Sequence, residues 1–93
     1  MLTIIVTYRC KEGKRAEFYN ALCELGIRSA SLQEAGCIQY DYHISCEKPD
    51  TVVLLEQWRD EAALQAHASG AAIKAVGAVK AEYVLHVDML RFP

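Results

Sequence analysis

The chain has 93 residues, 53% of them hydrophobic, and 10 Lys and Arg against 12 Asp and Glu give a formal net charge of -2. That length allows one domain over residues 1–93, with a single modest core that buries roughly 60–70% of the unfolded surface. Neither charge sign gathers into a stripe, which argues against a nucleic-acid partner, and no apolar run approaches the roughly 20 residues that cross a bilayer.

Residues 3–10 are mostly β-branched and aromatic and stop at the polar turn Lys11-Glu12-Gly13, which predicts a first strand. With no basic leader or small-residue cleavage site before it, the N-terminus reads as that strand and not as a signal peptide, so a cytoplasmic protein is expected. From Lys14 to about Glu34, Phe18, Leu22, Leu25, Ser29 and Leu32 step by four, three, four and three, which predicts one long helix capped by Gly36. Residues 37–46 predict a second strand, Glu47-Lys48-Pro49-Asp50 a turn, and residues 51–59 a third strand. So short a connection favours an antiparallel hairpin over a crossover.

Asp60 stands where an N-cap belongs, with a helix over residues 61–68 after it. Ser69-Gly70 interrupts, and residues 71–80 form an alanine-rich helix that contains Gly77 and depends on packing. Residues 82–92 predict the fourth strand. The order βαββαβ defines a ferredoxin-like α+β fold, with helices on one face of a four-stranded antiparallel sheet.

The four cysteines, Cys10, Cys23, Cys37 and Cys46, lie 13, 14 and 9 positions apart, which fits neither a redox pair nor a zinc spacing. They read as reduced thiols, with Cys10, between Arg9 and Lys11, the one in a basic neighbourhood. No ligand-spaced His or Cys pair and no phosphate-cradling glycine loop is present, so neither metal nor flavin is expected as a cofactor.

In the third strand Val52, Leu54, Glu56 and Trp58 share one parity and Val53 and Leu55 the other, and in the fourth Tyr83, Leu85, Val87 and Met89 oppose Val84, Leu90 and Phe92. Neither parity is cleanly polar, as a sheet with one wet face would be. Helices cover only one face, so the pattern predicts a homodimer stacked through its sheet faces, a dimeric α+β barrel.

Chemistry concentrates where the third strand hands over to a helix, at Glu56-Gln57-Trp58-Arg59-Asp60-Glu61-Ala62-Ala63-Leu64-Gln65-Ala66-His67. Glu56 and Trp58 share a strand face, and Leu64 and His67 are three apart on the helix, so a carboxylate, an indole and an imidazole can meet at one pocket.

This block resembles the signature of the antibiotic-biosynthesis monooxygenase family: a Glu-x-Trp strand end followed by Ala, Leu and His on the next helix. Residues 1–9, Glu34-Ala35-Gly36-Cys37 with Tyr40, and Leu55-Glu56-Gln57-Trp58 look most like the bacterial quinol monooxygenase branch. The resemblance implies an oxidoreductase that oxygenates a small phenolic, quinol or polyketide-like aromatic substrate with molecular oxygen, without metal or flavin. Such chemistry needs a dry apolar cavity, a group that removes a phenolic proton and aromatic walls. His67 is the expected base, Trp58 the wall, Glu56 the orienting or polarising group, and Tyr40, Arg9 and Tyr83 are expected around the substrate.

One departure stands out. Relatives commonly carry a second histidine about five residues after the first, whereas this chain has Ser69-Gly70-Ala71-Ala72-Ile73. Three rival readings come with the resemblance. The first is an isomerase of small phosphorylated ketones, which would need a cationic site drawn from Arg9, Arg28 and Lys74. The others are haem binding or degradation, and a ligand-binding dimer without catalysis.

Overall fold

The computed structural model describes all residues, Met1–Pro93. β1 (Leu2–Cys10) is followed by α1 (Arg15–Glu24), α2 (Ile27–Leu32), β2 (Cys37–Ile44), β3 (Thr51–Trp58), α3 (Glu61–Ala68), α4 (Ala71–Tyr83) and β4 (Val84–Phe92). The strands form an open antiparallel sheet in the order β2-β3-β1-β4, the ferredoxin-like arrangement, with the helices on one face. No helix is long and apolar enough to cross a membrane.

The expected long first helix is two helices. Gly26 takes a left-handed conformation, φ 66°, that a side chain disfavours, and it ends α1. The break also rotates the buried stripe. Phe18 and Leu22 face the core from α1, and the next buried positions are Ile27 and Ser31, while Leu25 and Leu32 stay exposed. The even step expected through Leu25, Ser29 and Leu32 is thus shifted by the turn at Gly26.

Alternation along the central strands separates the faces. Ile4, Val6, Tyr8 and Cys10 of β1 and Val52, Leu54, Glu56 and Trp58 of β3 are buried beneath the helices. Ile5, Val53 and Leu55 point to the helix-free face, beside Leu90, which pairs with Ile5, and Phe92, which pairs with Thr3. Cys10 is 2% exposed, and burial, followed by the nearby Asp50 charge, pushes its thiol pKa up. Despite its basic sequence neighbours, it is therefore an inert core residue and not a reactive thiol.

Candidate active site

β3 and α3 are joined by a short, tightly held corner. Asp60 caps α3, its Oδ1 accepting from the Ala63 N–H at 2.9 Å, and the Arg59 N–H donates to the Gly36 carbonyl at 2.7 Å. The corner brings Glu56 and Trp58, two apart on β3, beneath His67, which is on the inward side of α3 and only 3% exposed.

The three expected residues meet. The Trp58 indole N–H donates to Glu56 Oε1 at 3.0 Å. The Trp58 and His67 rings lie 4.5 Å apart at 33°, while His67 Nε2 is 3.7 Å from Glu56 Oε1, beyond hydrogen-bond reach. Tyr40, from β2, meets the imidazole edge-on with centroids 5.6 Å apart. Burial is the largest influence on the Glu56 carboxyl and raises its pKa; the Trp58 hydrogen bond and the His67 charge oppose that rise without cancelling it. Burial and the Glu56 charge push the Tyr40 phenol up to about 12.

Sequence reasoning missed a fourth member. Glu34, in the turn between α2 and β2, places Oε1 2.5 Å from His67 Nδ1. It sits two residues before Gly36 in a segment that also carries the family resemblance, but no periodicity links residue 34 to residue 67.

Beside this cluster, a cavity of about 300 Å³ lies between sheet and helices. Ile4, Val6 and Tyr8 of β1 and Met89 of β4 form its sheet side, and Leu64, Ile73 and Val76 form its helix side. Its polar lining is Glu56, His67, Gln65, Lys80 and Arg91. Val87 and Met89 are exposed, so the cavity opens toward β4.

Several residues fall elsewhere than expected. Trp58 and Tyr40, 0% and 1% exposed, stand behind His67 and do not form the cavity wall; the aromatic on that wall is Tyr8. Arg9 is exposed with odd parity on β1, on the helix-free face, so it reaches neither the cavity nor Glu56. Tyr83 ends α4, where its carbonyl accepts from the Lys11 N–H, and does not line the cavity. The cations proposed for a phosphate also scatter. Arg28 is bound to Asp41 at 2.9 Å and Lys74 is exposed on α4, while the cavity's own cations are Lys80 and Arg91, the latter paired with Glu61. Ala72, within the segment where relatives carry the second histidine, is a buried apolar residue of α4. No three His, Cys, Asp or Glu side chains gather as a metal site.

A ferredoxin-like domain with a buried Glu-Trp-His cluster held between β3 and α3, beside an apolar cavity, is the class of protein these features define. The profile of the antibiotic biosynthesis monooxygenase family matches residues 1–79, and the chain belongs to that family. Membership points to monooxygenase-like enzyme activity. Among solved structures, a Shewanella oneidensis protein is similar with a TM-score of 0.88 and 28% identity, over 98% of this chain and 87% of that one. A Pseudomonas aeruginosa protein gives a TM-score of 0.86 and 28% identity, over 98% and 90%. A Nitrosomonas europaea protein, provisionally described as an antibiotic biosynthesis monooxygenase, shares the fold with a TM-score of 0.88 at 20% identity, over 100% and 97%. No curated protein matches the chain.

Proposed function

We propose that the protein is a cofactor-independent monooxygenase that oxidises a small phenol or quinol in the cytoplasm, working as a homodimer joined through its helix-free sheet faces. The observation that carries this reading is that His67 lines the apolar cavity and its buried Nε2 has no hydrogen-bond partner. A buried unpaired nitrogen is costly, and a bound hydroxyl would satisfy it.

In this reading a flat substrate lies against Ile4, Val6 and Tyr8 and donates its hydroxyl to Nε2. The O–H bond breaks, the proton passes to Nε2 and the electron pair stays on the phenolate oxygen, which makes the ring electron-rich. Molecular oxygen then takes electrons from the ring. One oxygen atom enters the substrate and the other leaves as water, so a hydroquinone becomes a hydroxyquinone with the substrate itself as reductant. Burial shifts Glu56 toward its neutral form, which lessens the negative charge beside the phenolate.

Oxygen consumption with hydroquinone tests the reading. His67→Ala should lower turnover by roughly 10²-fold or more while leaving the fold intact. Unchanged turnover would remove His67 from the mechanism and favour a ligand-binding dimer without catalysis.

A further inference from the structure

We propose that Glu34 is a positioning residue that holds His67 as the Nδ1–H tautomer, so that the buried Nε2 is an acceptor and the cavity selects ligands that present a hydroxyl donor. The inference deepens the phenolic reading above and rests on it for the chemistry of the ligand.

Glu34 is fixed by its backbone before its side chain acts. Its N–H donates to the Ser31 carbonyl at 3.1 Å, its carbonyl accepts from the Cys37 N–H at 3.2 Å, and Gly36 is tied to Arg59 across the corner. Its carboxylate also lies over Gly70, with Oε2 3.6 Å from where a Cβ at that position would stand. With Oε1 2.5 Å from Nδ1, the carboxylate can only accept there, so Nδ1 carries the proton.

The other nitrogen then has two states, a lone pair or an N–H. An N–H at Nε2 would make a buried imidazolium with no acceptor in reach, since Glu56 Oε1 is 3.7 Å away and already accepts from Trp58. A lone pair at Nε2 asks instead for a donor from the cavity, which a phenol or enol hydroxyl provides and a fully ionised oxyanion does not. The groups facing the imidazole and its cavity are Glu34 from the turn, Tyr40 from β2, Glu56 from β3, Tyr8 from β1, Lys80 from α4 and Arg91 from β4. Of these, only Glu34 touches Nδ1.

Nitrogen-15 NMR of the imidazole tests this without oxygen and therefore independently of turnover. At pH 8 the intact protein should show Nδ1 protonated and Nε2 bare, and anaerobic hydroquinone should shift the Nε2 signal while sulfate, an oxyanion with no O–H to donate, leaves it in place. Glu34→Gln keeps an acceptor for Nδ1–H, so the tautomer should persist. Glu34→Ala should let the neutral ring exchange between tautomers. An Nε2–H tautomer or an imidazolium at pH 8, loss of the Nδ1–H tautomer in Glu34→Gln, or its undiminished persistence in Glu34→Ala would overturn the assignment. Should the alanine variant unfold, the near-isosteric glutamine variant and the intact protein still decide it. Normal tautomers without oxygen consumption would overturn the monooxygenase reading alone.

Discussion

Trp58 and Glu56 are joined by an indole N–H···Oε1 hydrogen bond of 3.0 Å in a buried site. It is the carboxyl group's only hydrogen bond within the protein, so Trp58 supports the candidate base indirectly by fixing the residue beneath it. Trp58→Phe removes that donor and leaves a gap at a position that is 0% exposed. The expected loss is about 2–4 kcal/mol of unfolding free energy, from the orphaned acceptor and the cavity together. Urea denaturation measures it, and a loss below about 0.5 kcal/mol, the range of an ordinary surface change, would refute the supporting role.

Glu56 gives stability a pH dependence whose sign follows from burial. Its native pKa is raised, so between the unfolded value of about 4.3 and the native one the folded state holds more protons than the unfolded state. Stability therefore falls as pH rises through that window, and the loss is complete above the native pKa. Glu56→Gln keeps an oxygen for the Trp58 N–H and cannot ionise. The variant should gain on the native protein as pH rises from the unfolded value through the native pKa, and hold that gain above it, in urea melts; a difference that stays constant throughout or shrinks with rising pH would contradict the buried-carboxyl account.

The legible part of this site was the part written by periodicity. A two-residue strand step placed Glu56 with Trp58, a three-residue helix step placed Leu64 with His67, and the Asp60 cap joined the two segments. Two things escaped for the same reason, that they depend on where a turn points. Gly26 resets the first helix, so Ile27 and Ser31 replace Leu25 and Leu32 in the core. Glu34 meets His67 only because the turn before β2 folds over α3. Arg9 was misplaced by parity, since Tyr8 and not its neighbour faces inward. Trp58 and Tyr40 were expected on the cavity because they are large and aromatic, but their size packs them behind the imidazole.

Gly36 and Ala63 set the spacing of the corner that carries the site. Gly36 has φ 83°, and a Cβ there would come within 2.5 Å of the Ala63 Cβ. Gly36→Ala therefore combines a left-handed backbone with a collision between two segments that cannot both stay in place. We expect a loss of about 3 kcal/mol. Gly26→Ala is the control, because its φ of 66° is equally unfavourable but nothing lies within 4 Å of the added carbon, and about 1 kcal/mol should be lost. Equal losses in the two variants would mean that the approach to Ala63 imposes no constraint.

The helix-free sheet face makes the last prediction. Leu90 and Phe92 are 58% and 45% exposed in the single chain, and they adjoin the half-buried Ile5, Val53 and Leu55. These side chains form one apolar surface across β3, β1 and β4, and covering it with the same surface of a second copy would remove both from water. Sedimentation of the native protein at low micromolar concentration should give twice the chain mass. Leu90→Asp discriminates further. In a face open to water the change should be nearly neutral, whereas between two stacked sheets it puts two unpaired carboxylates in an apolar layer, at a cost of several kcal/mol. The variant should sediment as a folded monomer. A native protein that is already monomeric, or a Leu90→Asp variant that keeps the doubled mass, would show that the sheets do not form the interface.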